Sequence, residues 1–189
     1  MWYLTGEPNF SHMSLDDAFS DEEVVRIRSY FDNQDAELGK IGNSIDEALR
    51  KSKINWLYNH DGESDWLYRK LTDYVNEANT KYFKYDLHFL ESIQLSEYNE
   101  SYQGKYAKHV DYGFTELINR KLSFTVQLSD PWEYEGGNLL LYPGSDTVSI
   151  TKKKGSLTLF SSFMLHEVTE VTQGTRLSAV GWVSGPKFK

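Results

Sequence analysis

Apolar residues recur at helical spacing in the first half of this chain and alternate with polar ones in the second. Val24, Val25, Ile27 and Phe31 form a stripe one to four residues apart. Ser20-Asp-Glu-Glu23 precedes it, with a hydroxyl and a carboxylate three apart in the arrangement of a capping box. The pattern predicts a helix from Ser20 to about Gln34, its stripe packed on a sheet. Trp66, Leu67, Leu71, Tyr74, Val75 and Ala78 predict a second helix, from Asp65 to about Phe83, with Ser64 as its cap. Residues 1–13 carry aromatics without a period and read as irregular. Residues 35–62 are rich in Gly, Asn, Asp and charge, and enclose one short strand-like run, Arg50 to Leu57.

From residue 86 the period becomes two. Leu122, Phe124, Val126 and Leu128 alternate with Ser123, Thr125, Gln127 and Ser129, as in a strand with unlike faces. Further strands are expected at Leu87 to Glu97, Gly104 to Tyr112, Gly136 to Tyr142, Thr147 to Ile150, Ser156 to Phe160, Glu167 to Val171 and Thr175 to Val183. Asp130-Pro131, Gly136-Gly137, Pro143-Gly144, Gly155 and Gly174 mark the turns. About eight short strands at regular spacing, preceded by two helices, indicate a mainly β, α+β fold. A double-stranded β-helix, or jelly roll, with two long helices packed on one face satisfies these counts. The whole of 1–189 reads as a single domain, with helical support over about 14–83 and a jelly-roll core over about 86–186.

The 189 residues carry a formal net charge of −8, which argues against a nucleic-acid partner. No cysteine is present, so disulfides and thiolate metal sites are excluded and a reducing cytoplasm is the expected setting. The N-terminus lacks the charge and apolar run of a signal peptide, and no stretch is long enough to span a membrane. Neither a Gly-x-Ser-x-Gly elbow nor a phosphate-binding Gly-x-x-x-x-Gly-Lys occurs.

His109-Val110-Asp111 is the stretch with the most chemistry in it. On a strand, residues two apart share a face, which sets an imidazole beside a carboxylate. Alone, a His-x-Asp pair is equally consistent with a structural hydrogen bond. His166, between two strand-like runs, supplies a second imidazole. Two His and one carboxylate with open positions is the ligand set of non-haem Fe(II) oxygenases. Arg176 opens a further strand-like run, and its planar fork matches a carboxylate in the same pocket. His60 and His88 read as a surface and a structural residue.

With these residues in order, the chain resembles the Fe(II)/2-oxoglutarate-dependent dioxygenases, and among them the prolyl 4-hydroxylase branch with its bacterial and phage members. The likeness runs over about 50–186. It is carried by Tyr98, Tyr106 to Asp111, Arg120, Leu122 to Asp130, Gly136-Gly137 and His166 to Trp182. It implies that His109, Asp111 and His166 bind Fe(II) as the catalytic metal. Arg176 would pair with the distal carboxylate of 2-oxoglutarate, with Ser178 and Tyr98 beside it. Gln127 stands where some relatives have a Tyr touching that cosubstrate. Arg120, Trp182 and Tyr106 match positions lining the prolyl pocket. The implied reaction consumes O2, with ascorbate as a candidate reductant, and hydroxylates a prolyl residue of a peptide or protein, leaving succinate and CO2. The same chemistry on another residue or a small molecule is one alternative. A non-catalytic jelly-roll binding module is another. A monomer or weak homodimer is expected, with neither a nucleic acid nor a membrane as partner.

Overall fold

The structure is a computed structural model and describes residues 11–32, 36–39, 46–59, 62–113 and 119–187. In chain order its elements are β1 (His12–Leu15), α1 (Asp21–Asp32), β2 (Glu37–Leu38), β3 (Arg50–Lys51), β4 (Lys53–Leu57) and α2 (Asp65–Ala78). Then come β5 (Phe89–Leu90), β6 (Ile93–Asn99), β7 (Lys105–His109), β8 (Arg120–Gln127), β9 (Tyr134–Gly136) and β10 (Leu139–Tyr142). The last four are β11 (Val148–Ser149), β12 (Leu157–Ser161), β13 (Leu165–Val168) and β14 (Val171–Ser184).

The strands form two sheets. The larger runs β1-β12-β8-β14-β6-β4-β2, with β5 and β9 also on β14, and the smaller runs β11-β10-β13-β7-β3. From β6 onward the chain alternates between them: β6, β8, β12 and β14 enter the large sheet, while β7, β10 and β13 enter the small one. Successive strands therefore face each other, and side chains from both sheets meet in the interior.

Every central strand of the large sheet is buried on both faces. On one face Ile93, Leu95, Leu122, Phe124, Val126, Leu157, Leu159, Ala179 and Val183 pack against Val24 and Ile27 of α1 and Leu67, Leu71, Val75 and Ala78 of α2. Gly181 lies opposite Phe124 in the register. A Cβ there would come within 2.4 Å of the Phe124 ring, so the aromatic occupies the space that glycine leaves. The other face carries Gln94, Ser96, Ser123, Thr125, Gln127, Arg176 and Ser178, all buried. These residues look toward the small sheet.

The helices stand as expected on one face of the sheet. The capping box at Ser20 forms reciprocally: the Ser20 N–H donates to Glu23 Oε2 at 2.8 Å, and the Glu23 N–H to Ser20 Oγ at 3.2 Å. Val25 does not join the α1 stripe; it is 66% exposed, because it lies 100° round the helix from Val24. Ser64 precedes α2 without a side-chain cap bond, and its hydroxyl donates to the Tyr58 carbonyl at 3.0 Å. The α2 stripe packs as predicted, and the chain continues through one wider turn, Asn79–Phe83.

Several strand predictions need correction: the runs Arg50 to Leu57, Gly136 to Tyr142 and Glu167 to Val171 are each divided between strands of different sheets. Residues 12 and 13, expected to be irregular, pair with β12 as part of the edge strand β1. The run Leu87 to Glu97 is divided: β5 pairs with the end of β14, and β6 then begins at Ile93. Gly174, expected as a turn, lies inside β14 with φ +73. There β14 changes partner from β9 to β6 and β8. A Cβ at Gly174 would meet the Glu133 carbonyl at 2.0 Å, so the glycine marks a bulge and not the end of a strand.

Candidate active site

In the small sheet β7 and β13 are neighbours, and His109 is paired directly with His166. His109 Nδ1 lies 2.7 Å from the Ala107 carbonyl, and His166 Nδ1 lies 2.9 Å from the Met164 carbonyl. A carbonyl oxygen only accepts, so each Nδ1 carries the proton and each Nε2 keeps its lone pair. β7 ends at His109, and Asp111 sits just beyond it. The N–H groups of Asp111 and Tyr112 both donate to the Ser162 carbonyl, at 2.9 Å each. Nε2 of His109 is 3.7 Å from Asp111 Oδ1, and Nε2 of His166 is 3.5 Å from Asp111 Oδ2. All three ligand atoms lie within 4.8 Å of one another.

The surroundings hold the ligands in their binding forms. Burial, reinforced by the neighbouring His166 and opposed by Asp111, pushes the His109 pKa down to about 4, so its imidazole is neutral at ordinary pH. Burial pushes Asp111 upward, but His166, His109 and hydrogen bonds from Ser123 and Trp182 outweigh it and hold the carboxylate below its usual range. Ser123 Oγ donates to Asp111 Oδ2 at 2.7 Å, and the Ser123 and Ser162 hydroxyls are 3.0 Å apart. Two imidazole nitrogens and a carboxylate, converging on one side with their outer atoms already bonded, fit a divalent first-row metal.

The triad opens into a cavity of about 400 Å³ between the sheets. At its far end stands Arg176, buried and opposite Tyr98 in the β6–β14 register. Its guanidinium carbon is 5.5 Å from the Tyr98 ring centre, and Nη1 donates to Ser178 Oγ at 3.3 Å. Gly137 makes room for it: a Cβ there would lie 3.1 Å from Arg176 Cδ and 2.9 Å from Val171 Cγ2. Gln127 sits one step away and donates to the Tyr134 hydroxyl at 2.8 Å. Burial raises the pKa of that phenol, against the opposing charge of Arg176.

Aromatic walls surround the metal end. Tyr106 stacks on His109, with ring centres 3.6 Å apart. Arg50 lies over the other part of this wall, 4.6 Å from the Tyr106 ring, and donates to Ser52 Oγ at 2.8 Å. Trp182 packs beside Trp56. Arg120 lies 3.9 Å over the Trp182 ring and forms a double hydrogen bond with the Glu91 carboxylate.

The cavity thus gathers His109, Asp111, His166, Arg176, Tyr98, Ser178, Arg120, Trp182 and Tyr106. Gln127 lines a small extension beyond Arg176. His88 is not among the lining residues, and His60 lies outside the described residues. Sequence reasoning did not single out Thr125, Tyr134, Trp56 or Glu91. A signal existed for Thr125, which belongs to the polar side of the alternating strand. Tyr134 follows an irregular turn and has no periodic context.

Comparison with known proteins agrees with this geometry. Residues 93–184 match the model of the 2OG-Fe(II) oxygenase superfamily. That stretch is just under half of the chain and holds His109, Asp111, His166 and Arg176. A PKHD-type hydroxylase of Prochlorococcus marinus is 42% identical over 78 residues, covering 41% of this chain and 35% of that protein. One from Parvibaculum lavamentivorans is 42% identical over 91 residues, covering 48% and 41%. The chain therefore spans well under two thirds of the curated relatives it matches. Among solved structures, a Pseudomonas putida prolyl-4-hydroxylase superposes with a TM-score of 0.74 at 19% identity, covering 94% of each chain. A Trichoplax adhaerens prolyl hydroxylase in complex with a hypoxia inducible factor peptide fragment gives 0.78 at 20% identity, covering 93% of this chain and 84% of that one. These two likenesses establish the fold. Members of the family use Fe(II), 2-oxoglutarate and O2.

Proposed function

We propose that this protein is an Fe(II)- and 2-oxoglutarate-dependent dioxygenase that hydroxylates a prolyl residue in a peptide or protein, with succinate and CO2 as coproducts. The observation that carries this reading is one cavity with a two-His, one-carboxylate triad at one end and a buried arginine at the other. The alternation of strands between two sheets supports a double-stranded β-helix as the scaffold, within a single domain. In this reading His109, Asp111 and His166 hold the iron. The ion, when bound with its cosubstrate, supplies the oxidising power that breaks an unactivated C–H bond.

The chain's own residues do the orienting. Arg176 neutralises the distal carboxylate of 2-oxoglutarate in a buried site, where a charge-assisted pair is strong, and Ser178 and Tyr98 flank it. Gln127 acts through Tyr134, whose hydroxyl it holds. Tyr106 and Trp182 offer flat apolar walls to a five-membered ring. Arg120, fixed by Glu91 over Trp182, is held ready to meet a peptide carbonyl. We place the protein in the cytoplasm, as a monomer or weak homodimer, with ascorbate as a candidate reductant. Among the described residues no helix is long and apolar enough to cross a membrane.

The test is anaerobic purification followed by Fe(II), 2-oxoglutarate, O2 and a panel of proline-containing peptides, read by mass spectrometry and succinate release. One oxygen gained on proline, and lost in His109→Ala, is the expected result. Succinate release with oxygen on another residue or on a small molecule would replace the substrate and keep the chemistry. Absence of metal-dependent 2-oxoglutarate binding would return the molecule to a binding module.

A further inference from the structure

The far end of the cavity contains four hydrogen-bond donors whose accepting positions are either filled or unused. Arg176 is a donor by chemistry. The Tyr134 oxygen accepts from Gln127, which leaves its own proton to point elsewhere. Ser178 Oγ accepts from Arg176, so its proton too is directed away from the guanidinium. The fourth is Thr125. Its Oγ1 is buried and has no hydrogen-bond partner among the described residues. Thr125, Arg176 and Leu139 are the three residues that line both the main cavity and its extension, so Thr125 stands at the junction where Arg176 reaches in. Beyond it the space closes to about 10 Å³, no more than a single water requires.

A buried hydroxyl without a partner weakens the fold that contains it. A buried cation beside three hydroxyls that each have a proton to give is complementary to an anion, and a carboxylate offers several accepting positions to a site of this kind. Valine would fill the same volume as Thr125 without the unmet polar group. The hydroxyl is accounted for by a state of the protein in which an acceptor is present.

We infer that Thr125 is a specificity-determining residue whose hydroxyl donates to the distal carboxylate of the 2-oxo diacid, completing a donor cage with Arg176, Tyr134 and Ser178. This rests on the function proposed above and adds to it a residue whose hydrogen bond exists only in the loaded protein. The free protein is correspondingly less stable than a valine variant. The cosubstrate is selected for its second carboxylate and for a length that ends at the closed extension.

The signature is a pair of opposite effects in Thr125→Val. Its melting temperature without ligand is expected to equal or exceed that of the wild type. Its Kd for 2-oxoglutarate, measured calorimetrically with Mn(II) in place of Fe(II), is expected to rise about tenfold, the scale of one hydrogen bond to a charged group. Thr125→Ser keeps the hydroxyl and should restore the wild-type Kd. Binding of 2-oxobutyrate, which lacks the distal carboxylate, should be the same in wild type and Thr125→Val. Equal 2-oxoglutarate affinity in wild type and Thr125→Val would overturn this inference and leave the proposed function standing. An equal loss of affinity for both oxo acids would also overturn it, because the effect would then be one of general packing. No Mn(II)-dependent binding of 2-oxoglutarate to the wild type would overturn both readings.

Discussion

The two faces of the large sheet share the same strands and the same backbone hydrogen bonds, yet they are built of different chemistry. Toward the helices β8 presents Leu122, Phe124 and Val126, and toward the small sheet it presents Ser123, Thr125 and Gln127. β14 repeats the division, with Ala179 and Val183 on one side and Arg176 and Ser178 on the other. Both faces are buried, so burial alone does not distinguish core from site. The distinction lies in what the buried groups bond to. On the helix face they need only be packed, and on the cavity face their polar atoms converge on a shared centre. A chain arranged this way can place its stability on one side of a strand and its chemistry on the other, two residues apart in alternation.

The sharpest break in this comparison is His166→Ala. It removes a proposed metal ligand without touching the helix face, and Mn(II) binding followed by electron paramagnetic resonance should fall below detection while the urea midpoint of the metal-free protein changes little. Phe124→Ala is the reverse. It empties the space over Gly181 and should cost about 3–5 kcal/mol in urea unfolding, with Mn(II) affinity of the folded fraction unchanged. If Phe124→Ala also weakened metal binding tenfold, the two faces would not be independent. Ser123→Ala tests the division one residue away on the same strand. The hydroxyl that holds Asp111 Oδ2 disappears, and metal affinity should fall roughly 10–100-fold, with unfolding free energy within about 1 kcal/mol of the wild type. A smaller effect is expected at the edge of the helical layer. Ser20→Ala removes one half of the capping box and should cost about 1 kcal/mol, leaving both metal and cosubstrate affinity as they were.

Much of this division was legible in the sequence, because a period of two exposes unlike faces directly. The triad and Arg176 were legible through residue type and order, and α1 through its capping box. What escaped depended on partners distant in the chain. Ser64 has the right type and place for a cap, but its side chain is turned to the carbonyl of Tyr58. Val25 is apolar like its neighbours, and only the geometry of the helix turns it outward. Gly174 reads as a turn because a bulge inside a strand and a turn between strands call for the same residue. Tyr134 acquires its meaning from Gln127 and Arg176, which approach it from two other strands. Thr125 stood in the alternating run as one more polar position, and its lack of a partner is visible only when every neighbour is in place.

His109 and His166 are opposite each other on β7 and β13 but fifty-seven residues apart in the chain. Closing a loop of that length from an unfolded chain costs roughly 3–4 kcal/mol in entropy. An ion gripped by both imidazoles would act as a clasp on that loop. Its binding free energy would be shared between coordination and holding β7 against β13. Loss of the ion and parting of β7 from β13 would then be coupled events, so that a chelator would act on this molecule as a denaturant of its topology as well as on the proposed chemistry.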